Sequence, residues 1–178
     1  RKGAIMATEA AQAPQFEEKS FFEYHLYTLQ RRTTIKNNQI KQISLFPTAT
    51  TKIDKIYLYN GSRYGEDVRV NLAFKNSKEH GLGIPLPMGK IRVYKEDDAD
   101  QSREFVGEDY IDHTPKDEKV RIYVGNAFDI KGERTKKSQR KIADKAREET
   151  IEIKIRNHKE TDIEVVVEEN VWGDWEIR

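Results

Sequence analysis

The chain has 178 residues, 32 Lys+Arg against 31 Asp+Glu, a formal net charge of +1, 36% hydrophobic residues and no cysteine. That length suits one domain or two small ones. The charge balance argues against a polycation built for nucleic acid, the missing Cys excludes a disulfide framework, Cys-based zinc and a Cys nucleophile, and no apolar run approaches the roughly 18 residues needed to span a bilayer.

The chain begins at Arg1 rather than Met, without an apolar leader, and reads as a processed chain or a piece of a longer one. Five of its 11 alanines lie in the first 13 residues, before Pro14. Residues 1–18 are therefore expected as an Ala-rich linker, extended or disordered, and 19–178 as one domain. The alternative for the start is a docking segment anchored by Ile5, Met6 and Phe16. Phe21 to Leu29 carries large residues on both alternating faces and predicts a strand covered on both sides or ending against a second layer. Thr33 to Phe46 follows, with Asn37-Asn38 as a turn and Ile40, Ile43 and Leu45 as core candidates. Lys52 to Tyr59 predicts a strand closing in a tight hairpin at Asn60-Gly61. The return strand is the clearest in the chain: Val68, Val70, Leu72 and Phe74 alternate with Arg69, Asn71, Ala73 and Lys75. Two prolines keep Ile84 to Gly89 out of a sheet centre. Lys90–Tyr94, Arg103–Ile111 and Lys119–Val124 predict further strands.

Thr135 to Glu149 is ambiguous. Its Lys, Arg, Ala and Glu favour helix, yet Ile142, Ala143 and Ala146 make too thin an apolar stripe to hold one on a core. One long strand from about Thr135 is preferred, with a short helix near 136–148 as the alternative. Ile151, Ile153 and Ile155 alternate with charges, and Asn157–Asp162 predicts a turn into a hairpin with Ile163, Val165 and Val167. With 17 Ile and 10 Val against 7 Leu, the sum is an all-β fold: an antiparallel β-sandwich, immunoglobulin-like or related, of about eight to ten strands.

Candidate chemistry is sparse. His25, His80 and His158 read as packed or turn residues, and no His spacing suits a metal. His113, with Asp109 or Asp112 to orient it, is the one general-base candidate, but no nucleophile or oxyanion loop accompanies it; Thr114-Pro115-Lys116-Asp117 is also good turn chemistry. Glu96–Asp100 lacks the spacing of a calcium loop and reads as a solvated hairpin tip. Charge is segregated: 96–118 holds ten acids and two bases, and 131–147 holds eight bases and two acids. The basic stripe, with Lys136, Lys137, Arg140 and Lys141, either meets an anionic polymer or pairs with the acidic segment across strands; it has no interleaved aromatics. Tyr57, Tyr59, Tyr94 and Tyr123 fall opposite the aliphatic faces and are binding candidates on a partly wet face.

Several runs share one further property. Tyr24–Leu29, Thr33–Gln39 running into Lys41–Phe46, Leu86–Tyr94, Gly107–Glu118, Val124–Asp129 and Arg156–Lys159 together resemble the C-terminal part of the bacterial family called domain of unknown function 4139, over roughly residues 20–177. The resemblance implies a secreted or periplasmic protein whose N-terminal half is missing here, and a β-rich fold. Some relatives are labelled mucoidy inhibitors, which points to the cell envelope; no activity, cofactor or catalytic residue is implied.

The expected function is therefore a non-catalytic binding or structural module of an exported bacterial protein, periplasmic or extracellular and associated with the envelope. It is expected to have no cofactor or metal. Its partner is expected to be a protein or envelope component, not nucleic acid, with no transmembrane segment. The alternatives are a hydrolase using His113 with Asp109 or Asp112, and an acidic-polysaccharide binder acting through 131–147.

Overall fold

The structure, a computed structural model, describes residues 16–177. It is all-β and sandwich-like, with nine strands, one four-residue helix and one 3-10 turn among the described residues. The chain divides into two compact units, residues 1–50 and 51–178.

In the first unit, β1 (Phe16–Phe21) and β2 (Tyr24–Leu29) form an antiparallel hairpin, with Phe16 opposite Leu29 and Phe21 opposite Tyr24. Phe22, at φ 56, makes the turn. Strand structure thus starts at Phe16, inside the stretch expected as linker, while Ile5 and Met6 lie outside the described residues. None of the unit's described residues is buried. Asn37-Asn38 does turn, with Asn38 at φ 57. Ile40 is 98% exposed and is not a core residue; Ile43 and Leu45 are half-buried, and Phe46 meets the Tyr27 ring edge-on, centroids 5.9 Å apart.

The second unit holds β3 (Asp54–Tyr59), β4 (Asp67–Lys75), β5 (Gly89–Glu96), β6 (Arg103–Ile111), β7 (Lys119–Ala143), β8 (Ala146–Asn157) and β9 (Val165–Val167). A five-stranded sheet runs β8-β7-β4-β3-β9, and β5 pairs with β6 separately. β4 sits at the centre because its alternation gives it an apolar face along its whole length. The β3–β4 connection is not the expected two-residue hairpin. The Asn60 carboxamide oxygen accepts from Arg63 N (3.1 Å) and Ser62 Oγ (2.8 Å), capping the single helical turn α1 (Gly61–Tyr64).

β7 bends twice where it follows β4. Val70 lies opposite Gly125 but Asn71 opposite Tyr123, so Val124 is extra; Gly125 carries φ 145, a conformation that any Cβ would strain. Nearby, the four residues Ala127–Ile130 span the stretch around Val68 alone. That wider bulge turns Ala127 and Ile130 inward and leaves Phe128 exposed. Ala127 and Ile130 complete the core with Tyr59 and Val68, flanked by Tyr57, Val70, Ile153, Ile155, Ile163 and Val165. A Cβ at Gly132 would fall inside the Tyr59 ring, so the bare glycine backbone is the surface on which that ring lies. β6 reaches β7 by the same device. A Cβ at Gly107 would overlap the Val124 carbonyl. Two residues on, the Asp109 carboxylate accepts from Tyr123 N (2.8 Å) and from its neighbour Tyr110 N (2.9 Å).

Tyr59 is fully buried, so it belongs to the core rather than to a wet face. Its phenolic oxygen has no hydrogen-bond partner, and burial pushes the phenol above its ordinary range, keeping it neutral. An unpaired buried hydroxyl is costly. Tyr59→Phe is therefore expected to stabilise the fold by about 1 kcal/mol in urea titration; a loss of stability would mean that the hydroxyl is bonded.

At the other end of β4, Asn76 is fully buried and ties two loops. Its Nδ2 donates to the carbonyls of Ile84 (2.7 Å) and Pro115 (2.9 Å), and its Oδ1 accepts from Gly83 N (3.0 Å). Its own N–H and C=O bond Glu118 O and Asp117 N.

Residues 135–167 depart from the sequence expectations. There is no helix near 136–148, and no single long strand either: β7 runs to Ala143, turns at Asp144-Lys145, and returns as β8. Ion pairs across and along the strands replace the apolar face that a helix would need. The Asn157–Asp162 turn does not close a hairpin. β9 instead crosses the sheet and pairs parallel with β3, Tyr57 opposite Val165 and Tyr59 opposite Val167, the one parallel pairing among the described strands. The half-buried Val165 packs on the core from that position.

Candidate functional site

β7 and β4 stay paired, through the two bulges, up to Lys131 opposite Asp67. Beyond that point β7 and β8 pair only with each other. The stretch from Thr135 to Ile151 is therefore a two-stranded ribbon that runs past the rest of its sheet. Ten Lys and Arg against five Asp and Glu lie between 131 and 156.

The partners of the basic stripe differ from expectation. No ion pair among the described residues joins 131–147 to the acidic 96–118 segment. Lys131 pairs with Asp67 and Arg134 with Glu169, and beyond them the acids come from β8 and the turn: Lys136 meets Glu149 (3.2 Å), Lys137 meets Glu152 (2.9 Å), Arg140 meets Glu148 (2.8 Å), and Lys141 meets Asp144 at the tip (2.8 Å). Sequence distance decides this, because a two-residue turn sets 148–152 opposite 135–140. Glu152 also accepts from Lys154 (3.1 Å), and hydrogen bonds from both lysines, Lys137 first, hold its carboxyl below the ordinary value of 4.5. A carboxylate so lowered favours the fold above its unfolded value, and the gain disappears as pH falls through its folded value. We expect the Glu152 carboxyl to titrate by NMR with a midpoint below 4.5. A midpoint at or above that would mean that the ribbon pairs do not persist in solution.

The C-terminal segment supplies a second wall. β9 and the Glu168 N–H to Tyr59 carbonyl bond (2.8 Å) fix its start. Glu169 then grips Arg134 at the ribbon's base, taking Nε at 2.9 and 3.0 Å and Nη2 at 2.5 Å, a two-point clamp that keeps the guanidinium charged. From there residues 170–175 run along the ribbon. Between them lies an open groove of about 740 Å³, lined by Arg134, Gln139, Lys141, Lys145, Arg147 and Glu149 on one side and Asn170, Trp172, Asp174 and Trp175 on the other. Trp172 is 87% exposed and Trp175 60%. These are the chain's two tryptophans.

The other candidates do not assemble. Asp109 is committed to two backbone amides, His113 Nδ1 accepts from Met88 N (3.2 Å), and the exposed Asp112 uses its carbonyl on the Thr114 hydroxyl. No hydrogen bond joins His113 to either Asp, and none of the three lines the groove. The four tyrosines do not make one wet face: Tyr57 and Tyr59 share the core face of β3, and Tyr94 and Tyr123 lie on other strands. Tyr57 flanks the core with Lys55 Nζ 4.9 Å from its ring centroid, and Tyr94 stacks edge-on with Phe105. Tyr123 lies under the Arg69 guanidinium (3.7 Å), which also covers Tyr64 (4.6 Å). At the hairpin tip, Asp97 and Asp100 accept from Ala99 N and Ser102 N.

Two further cavities are simpler. One of about 450 Å³ is lined by balanced charges, Lys52, Asp54, Lys75, Asp117, Glu118 and Lys119, with Phe74 and His80; the His80 Nδ1 bond to Ser77 Oγ (2.7 Å) closes a local turn, and Ser77 does not line it. The other, about 340 Å³ in the first unit, has Arg31, Arg32 and Lys41 but no aromatic wall.

The tryptophan wall is what sequence reasoning missed: the stripe has no aromatic within it, and its aromatics arrive from some thirty residues later. No family model, no curated protein and no solved structure matches the chain. No helix among the described residues is long and apolar enough to cross a membrane.

Proposed function

We propose that this chain is a non-catalytic binding module whose contact element is the β7–β8 ribbon with its tryptophan-bearing C-terminal wall. The observation that carries the reading is the exposure of Trp172 and Trp175 beside a ribbon that has left its sheet. An exposed indole forgoes roughly 1.5–3 kcal/mol of burial. Two of them on one groove have the composition of a contact surface, where Trp and Arg are enriched. The hydrolase reading has no comparable support, since its carboxylate and imidazole are engaged by separate backbone groups.

The resemblance in the sequence supports placing the module in an exported, envelope-associated bacterial protein, in the periplasm or outside the cell. The test is retention from a bacterial envelope fraction on the immobilised chain, compared with a Trp172→Ser/Trp175→Ser variant. We expect a component held by the first and not by the second. Equal retention, or none, counts against the ribbon as the contact element.

A further inference from the structure

We propose that the ribbon groove takes an acidic polysaccharide, a chain of sugar rings bearing carboxylates, with rings lying on Trp172 and Trp175 and a carboxylate meeting Lys145. This rests on the reading of the ribbon as the contact element and names its ligand.

Three observations favour this ligand class. First, the indoles stand at positions 172 and 175, on either side of a bend at Gly173-Asp174, largely bare, on a groove open to solvent. The faces of an aromatic ring carry partial negative charge, and the C–H face of a sugar ring is the complementary flat apolar surface. The groove's volume falls within the roughly 300–1,000 Å³ range of ligand clefts, and its open side lets a polymer run on.

Second, cation supply is small and local. Arg134, Lys136, Lys137, Arg140, Lys141 and Arg147 each already have a carboxylate partner. Lys145, at the ribbon turn and on the groove wall, has no ion pair among the described residues. A site with one open ammonium beside shared ones matches a polymer with widely spaced carboxylates. It does not match nucleic acid, whose phosphates recur about every 3.4 Å per strand and would have to pass Asp144 and Glu149 on the groove wall, where a spaced polymer can set a neutral ring.

Third, beside the ion-paired carboxylates Asp144 and Glu149 the groove holds groups that read hydroxyls. Gln139 and Asn170 offer both donors and acceptors, and Asp174 accepts. An apolar or purely anionic ligand would leave these unused.

The test titrates the intact chain with a hyaluronate oligomer, which carries a carboxylate on every second ring, following tryptophan emission, which reports on this groove alone because the chain has no other tryptophan. We expect saturable binding that weakens as salt rises. By calorimetry, Trp172→Ala/Trp175→Ala is expected to weaken it by about tenfold or more, judged by the usual worth of stacking on an aromatic side chain. Lys145→Gln should weaken it several-fold and flatten the salt dependence. These side chains are exposed, so the variants are expected to melt with the parent. Equal binding of a neutral dextran oligomer, tighter binding of an oligothymidylate, or hyaluronate binding unchanged in the tryptophan variant would each overturn the proposal. If hyaluronate fails while the envelope component is still retained through the tryptophans, the ligand class is wrong and the binding module stands; if both fail, the ribbon reading falls too.

Discussion

Replacing Gly132 with alanine is expected to cost about 3 kcal/mol and lower the melting temperature of the second unit by about 10 °C. The added methyl would enter the ring of Tyr59, a side chain with no exposed surface and no room to retreat between Val68, Ala127 and Ile130. Either the ring leaves the core or β7 moves away from it, and both forfeit packing at the point where β3, β4 and β7 share one cluster. Gly89→Ala is the control, because the nearest atom to its Cβ would be the Pro87 carbonyl oxygen at 4.0 Å; it is expected to stay within about 0.5 kcal/mol of the parent. In a Tyr59→Ala background, Gly132→Ala should cost much less, since the two changes act on the same space. Urea midpoints of the four proteins measure this. A Gly132→Ala protein as stable as the parent would mean that the ring does not lie on that backbone.

Asn76→Ala is expected to cost a similar amount, about 3 kcal/mol, for a different reason. The side chain bonds an amide and two carbonyls drawn from segments 83–84 and 115, with no solvent exposure. Truncation leaves those three groups without a partner where water does not reach them. Asn76→Asp separates hydrogen bonding from shape. The Gly83 amide keeps its acceptor, but a carboxylate oxygen now faces the Ile84 and Pro115 carbonyls. The introduced carboxyl is favoured in its protonated, donating form, so its value in the fold is raised above the unfolded one. A raised acid contributes most at low pH, and its contribution is lost as pH rises. The stability gap between Asn76→Asp and the parent should therefore narrow on acidification, whereas the Asn76→Ala gap should not. Parallel pH courses for the two variants would argue against this bonding arrangement.

How much of this was legible in the sequence depended on whether the information was local. β4 was, because period-two alternation over nine residues is a property of the strand itself. The ribbon was half legible. Its Lys- and Arg-rich arm lacks an apolar face, so neither helix nor strand periodicity stands out, and what settles it is a turn at Asp144-Lys145 that sets acids against bases. Strand partners were not legible. Val165–Val167 has the composition of a hairpin return from β8 but pairs with β3, a choice made by the vacancy beside Tyr57 and Tyr59 and not by the three valines. The same gap hid the site. Tyr59 reads as a face residue until Gly132 is seen beneath it, and Trp172 and Trp175 read as tail residues until β9 carries the segment back to the ribbon.

The pairing of β9 with β3 also has a temporal meaning. Tyr57 and Val165 are 108 positions apart, and their strand is three residues long. Closing so long a loop is unfavourable before the intervening sheet exists, and little contact compensates for it. During synthesis this edge must dock after every other strand of the unit has emerged from the ribosome. In the finished protein it should be the first to detach, so that the Glu168 amide exchanges with deuterium well before those of β4. The molecule thus assembles its tryptophan wall last, and can part with it transiently while the remaining strands stay folded.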